Sequence, residues 1–217
     1  MGDHQSNESG PKSSRVSAAW FIAAVILGLL LCAVSFLYDG AMIDWVNAHD
    51  SRLLKEVAGF LSRWGDWPEL MIYGLIGLGL AWLTRSQRLF KLVLCMMFAA
   101  TVAGAVVNSV RLVSGRARPN NTEATHEWNG LWRGNEFLLF KNNYHSFPSG
   151  HCGAAFAFFG VPVFADRRHW WLLLAAAAIA WSRIYLNVHH LSDVFVGAFA
   201  GLLTGALVWR WLSRIGR

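Results

Sequence analysis

Long runs without a single charge constrain this chain more than any other feature. Val16–Tyr38 and Leu92–Val110 contain no Asp, Glu, Lys or Arg. A helix crossing a bilayer needs about 20 mainly apolar residues, since only internal hydrogen bonds satisfy its backbone in lipid. Leu70–Thr84 and Val194–Trp209 are shorter but run into Trp-rich or Gly-rich flanks. Pro148–Ala165 is another such segment, and Trp170–Val188 is interrupted only by Arg183 near its end. Six apolar segments in 217 residues leave too little polar exterior for a soluble helical protein. Composition agrees: 15% of residues are charged, against roughly 25% in ordinary soluble domains. The expectation is an all-α bundle of six transmembrane helices over 16–212, with polar tails at 1–15 and 213–217.

The segments between the spans carry weaker signals. Residues 1–15 are polar and Ser-rich, and the apolar run that follows is too long for an ordinary signal-peptide core, which favours an uncleaved anchor. Ala41–Gly65 mixes charges with apolar residues at near-helical spacing, as in an amphipathic helix lying in the interface or a loop helix capping the bundle. Cys32, Cys95 and Cys152 all fall in or beside spans and are expected to be small apolar fillers, since an odd count argues against a pure disulfide framework.

Charge placement bears on orientation. With six spans, ten Lys and Arg lie on the side of the termini and nine on the other. Four of those nine, Arg111, Arg116, Arg118 and Arg183, belong to the clusters described next; without them the balance is ten against five. The positive-inside rule then places the termini in the cytoplasm and the clusters on the outer face.

Three clusters stand out in so apolar a chain. Arg111, Arg116, Arg118 and Pro119 follow the third span; Pro148-Ser149-Gly150-His151 opens the fourth; Ser182-Arg183 and His189-His190 with Asp193 join the fifth and sixth. Counting spans brings all three to one membrane face. Guanidinium groups present forked donors that match phosphate oxygens, and three can surround one phosphoryl group. With Pro148 as first helical residue, the amides of Ser149, Gly150 and His151 would face an anion at a helix N-terminus. Arg183 within a span is costly unless paired or functional. If residues 189–193 begin a helix, His189 and Asp193 share a face. The carboxylate can then fix the tautomer of His189 and free its other nitrogen to attack phosphorus, while His151 can protonate the leaving group. Arg116 reads as either solvated or phosphate-binding; His145 and His190 read as structural. A His-x3-Asp pair can be half a metal site, but no thiolate or further carboxylate cluster accompanies it, so no metal and no cofactor is expected.

These clusters resemble the signature of the type-2 phosphatidic acid phosphatase superfamily: Lys-x6-Arg-Pro, then Pro-Ser-Gly-His, then Ser-Arg-x5-His-x3-Asp. Arg118-Pro119, Pro148 to His151, and Ser182-Arg183 with His189 and Asp193 match at the family spacing. The resemblance implies a phosphohistidine formed on His189 and oriented by Asp193, with His151 as general acid. It implies Arg118, Ser149, Gly150 and Arg183 as phosphate ligands, and a six-helix core covering nearly the whole chain. One position departs: the family's first lysine falls on Arg111, which keeps the charge but exchanges an ammonium for a guanidinium.

The membrane setting points to a lipid phosphate at the outer interface of a bacterial inner membrane, and not to nucleic acid. Candidates are a prenyl diphosphate, phosphatidylglycerol phosphate, phosphatidic acid or a lipid A type glycolipid. The loop Asn120–Phe147 carries Trp128, Trp132, Phe137 and Phe140, which suit sugar stacking but equally a membrane interface. Competing readings are a phosphotransferase using the same residues, a non-catalytic lipid-binding or transport protein, and a serine intramembrane protease built on Ser149.

Overall fold

The computed structural model describes residues 18–124 and 127–215, which hold eight α-helices and one small hairpin. In chain order the helices are α1 (Ala18–Leu37), α2 (Asp39–Ala48), α3 (Arg52–Trp64), α4 (Trp67–Leu83), α5 (Gln87–Ser114), α6 (Gly150–Ala165), α7 (Leu172–Tyr185) and α8 (Leu191–Ile215). The hairpin pairs β1 (Trp132–Arg133) with β2 (Glu136–Phe137) inside the long α5–α6 loop. The polar tail expected at 1–15 lies outside the described residues.

Each expected span coincides with a helix, but the helices differ in reach. α1, α5 and α8 are long and apolar enough to cross a membrane; α4 and α6 are apolar but have 17 and 16 residues, and α7 has 14. Apolar side chains cover the outside: Leu27 and Leu30 on α1, Leu75 and Trp82 on α4, and Leu174 on α7 are all more than half exposed. A lipid surround removes the cost that water would impose on such a face.

The segment Ala41–Gly65 forms two helices instead of one. α2 ends at Ala48 and α3 begins at Arg52, and Tyr185 of α7 clasps the break. Its hydroxyl donates to the His49 carbonyl (2.6 Å) and accepts from the Ser51 amide (3.0 Å). α3 leaves Leu53, Val57, Phe60 and Trp64 exposed along one stripe, the spacing of an amphipathic face.

The core is built from small residues. α6 packs most extensively on α8 and α5. Gly197, Gly201 and Gly205 of α8 recur every four residues against the backbone of Ser149, Gly153 and Ala157. A Cβ at Gly201 would collide with the Gly153 carbonyl, so only glycine permits this approach. On the other flank, Ala99, Ala100 and Ala103 of α5 lie buried among Ala154, Ala155 and Ala157 of α6. The three cysteines are free and buried, as fillers should be. α5 stops at Gly115, whose φ of +59° is left-handed. There its backbone meets Gly130, and the loop folds back over the end of the bundle.

Candidate active site

Helix direction gathers the residues of the three clusters at one end of the bundle. The ends of α5 and α7 and the starts of α4, α6 and α8 meet there, bringing Arg111, Arg183, Asp66, Ser149 and Asp193 together. The close α6–α8 contact places the two helix starts in register, and the Ser149 amide donates to the Asp193 carbonyl at 3.0 Å. Two expectations change here. α6 begins at Gly150 with Ser149 as its N-cap residue, so Pro148 precedes the helix and is not its first residue. The Ser149 amide is committed to Asp193, which leaves Gly150 and His151 to offer the unbonded amides of the first turn.

His189 precedes α8, so the pairing with Asp193 is made by the loop and not by a shared helical face. Its Nδ1 lies 2.7 Å from the Ser146 carbonyl and 3.5 Å from Asp193 Oδ2. The carbonyl is therefore the closer orienting partner: a carbonyl can only accept, so Nδ1 carries the proton and Nε2 holds the lone pair. Burial pushes the His189 pKa down to about 4, against the opposing pull of Asp193, which keeps the ring neutral at ordinary pH. Asp193 is itself saturated. It accepts from Ser146 Oγ (2.5 Å), the His190 amide (2.8 Å) and Arg116 Nη1 (2.5 Å).

Five buried polar atoms of the expected site residues have no partner among the described residues: Nε of Arg111, Arg118 and Arg183, Oγ of Ser149, and Nε2 of His189. Buried polar groups are almost always satisfied, so four unpartnered donors beside the His189 lone pair could accept an anionic ligand. Burial and the neighbouring charge of Arg111 lower the Arg118 pKa, as expected where like charges share a site. Arg183 is also held by Ser62 of α3 through Nη1. A cavity of about 220 Å³ opens beside the cluster, lined by Asp66, Trp67, Thr101, Asn108, Arg111, Gly150 and His151.

Arg116 is neither solvated nor turned towards the arginine cluster. It is wholly buried and bonds Asp39 (2.6 Å), Glu127 (2.6 Å), Ser192 (2.7 Å) and Asp193, over the ring of Trp128. Burial opposes its charge, but Asp193, Asp39 and Glu127 outweigh burial and raise its pKa. Asp39, Glu127 and His190 lie close enough to hold a metal ion, but the Arg116 guanidinium already supplies the cation for both carboxylates. His190 binds the Ala117 carbonyl through Nε2, a structural use. Sequence reasoning missed Asp39, Asp66, Asn108 and Ser146. Asp66 alone carried a signal, because an Asp before Trp-Pro marks a helix N-cap.

Comparison with known proteins identifies the family. Residues 88–217 match the family profile described as the PAP2 superfamily. The chain is 29% identical over 142 residues to "Lipid phosphate phosphatase 1" of Arabidopsis thaliana, covering 54% of this chain and 43% of that protein. It is 27% identical over 158 residues to "Bacitracin transport permease protein BcrC" of Bacillus licheniformis, covering 72% and 71%. The aligned region spans less than half of the plant relative's length. Among solved structures, LpxE of Aquifex aeolicus superposes with a TM-score of 0.61 at 25% identity, over 79% of this chain and 94% of that one. A transmembrane phosphatidylglycerolphosphate phosphatase from Bacillus subtilis superposes at 0.65 and 21% identity, over 90% and 97%, a likeness of fold. With the family profile covering more than half of the sequence, this integral membrane protein belongs to the PAP2 superfamily.

Proposed function

We propose that this protein is a lipid phosphatase that hydrolyses a phosphomonoester or pyrophosphate of a bacterial envelope lipid without a metal ion. The observation that carries the reading is that Arg111, Arg118, Arg183 and His189 all face His151, each arginine with an unpartnered Nε and His189 with an unpartnered Nε2. Arg111, Arg118 and Arg183, with Ser149 Oγ and the Gly150 and His151 amides, hold the phosphoryl oxygens and neutralise their charge. His189 Nε2 attacks phosphorus, and the P–O bond to the lipid breaks with its electron pair going to the leaving oxygen. His151 delivers a proton to that oxygen. Water then attacks the phosphohistidine, giving its proton to His151, and the P–N pair returns to His189. Asp193 and the Ser146 carbonyl keep Nδ1 protonated throughout.

Both phosphatase relatives with lipid names support a lipid substrate: the plant protein above and a "Lipid A 1-phosphatase" of Porphyromonas gingivalis, 28% identical over 141 residues. The six helices act as spans, α4, α6 and α7 being shortened by the interface, with the site on the periplasmic or outer face. Transfer of the phosphoryl group to a second lipid would use the same residues. The named transport relative favours one other reading, a transporter without turnover. Among the described residues Ser149 Oγ bonds no histidine, which gives the protease reading no base there. The test is phosphate release from a panel of detergent-dispersed lipid phosphates in EDTA. Wild type releases phosphate from at least one lipid, and His189→Ala reduces release at least about a thousandfold. Unchanged release in the variant overturns the mechanism.

A further inference from the structure

Asp66 belongs to none of the three motifs, yet it stands at the site. It caps α4, its Oδ1 accepting from the Trp67 amide at 2.7 Å. Its other oxygen, Oδ2, lies 3.6 Å from His151 Nε2. The pair is too long for a direct hydrogen bond but close enough for an electrostatic contact, which the same carboxylate also makes with Arg111 and Arg183. The other charged or titratable groups facing His151 are Arg183 from α7, Arg111 from α5, Arg118 from the α5–α6 loop and His189 from the α7–α8 loop. Three of those four are permanently cationic. Such company repels any further positive charge placed on the imidazole. Asp66 supplies the opposing charge, and the cavity that it shares with His151 adjoins the arginine cluster.

We propose that Asp66 is a positioning residue for His151: its carboxylate holds the imidazole at the cavity wall and stabilises the imidazolium that protonates the departing lipid oxygen. The proposal rests on the phosphatase reading above. Asp66 takes no proton itself. It acts by easing the protonation of His151, first with the anionic lipid phosphate bound and then from water in the second step.

Asp66→Asn tests this, because Asn has the same size and still caps a helix. Two substrates separate positioning from mere structure: phosphatidic acid, whose alkoxide leaving group needs a proton, and p-nitrophenyl phosphate, whose phenolate departs without one. The variant is expected to lose about ten- to a hundredfold in kcat on phosphatidic acid and less than about threefold on the aryl phosphate. In a His151→Ala background, the same substitution should have no further effect on phosphatidic acid. Equal losses on the two substrates, or no loss on either, overturn the role of Asp66. Release that persists in His189→Ala would instead overturn the phosphatase reading, so the two failures are distinguishable.

Discussion

Arginine does two different jobs in this protein, and the difference is set by what each guanidinium faces. Arg111, Arg118 and Arg183 face His151 and keep unsatisfied Nε atoms. Arg116, two residues from Arg118, has every neighbour it needs from Asp39, Glu127, Ser192 and Asp193. It ties the start of α2, the long loop and the start of α8 into one cluster, and so fixes the carboxylate beside His189. Removing it would strand Asp39 and Asp193 as buried unpaired charges. Arg116→Ala is therefore expected to destabilise the fold by about 3–5 kcal/mol, read as a lowered thermal midpoint in detergent. A midpoint unchanged from wild type would show that the cluster does not hold the bundle end together. None of this is legible at residue 116 itself, because an Arg in Gly-Arg-Ala-Arg looks the same paired or solvated. Its partners lie between 11 and 77 positions away in the chain.

At the scale of elements, the glycine ladder of α8 sets the site. Gly197, Gly201 and Gly205 let α8 lie backbone-to-backbone on α6, which aligns Ser149 with Asp193. Gly201→Leu should push the helices apart at the cost of about 1–3 kcal/mol and reduce turnover as well. Gly79→Leu on α4 is the control, since a Cβ there meets nothing. Equal thermal midpoints for both variants would deny the ladder its role. The helices were readable from apolar runs, including Arg183 at the end of one span and Pro-Ser-Gly-His at the start of another. The caps were less so: Pro148 stays outside α6, and Ala41–Gly65 breaks in two at His49–Ser51. That break is decided by Tyr185, a tertiary partner 134 residues downstream of Ser51, and no local pattern encodes it.

For the whole molecule, the apolar exterior and the family membership agree on a membrane protein, and its three motif clusters lie at one end of a helical bundle. If all six apolar helices cross the bilayer, the hairpin and the C-terminus lie on opposite sides. Because all three native cysteines are buried, introduced ones can report this. Asn135→Cys in the hairpin turn should react with a membrane-impermeant maleimide in intact cells, and Ser213→Cys only after permeabilisation. The reverse pattern would invert the orientation, and labelling of both in intact cells would break the six-span count.

The sequence by itself determined the class of molecule, its family, and which three clusters belong to one end of the bundle, because apolar length and motif spacing are properties of the chain alone. Only the tertiary structure decided how those residues are employed. It gave the Ser146 carbonyl the nearest place to His189 Nδ1, assigned Arg116 to the scaffold, and brought Asp66 to His151. The physical reason is that a hydrogen bond or ion pair depends on a few ångströms between distant segments, and helix packing sets those distances.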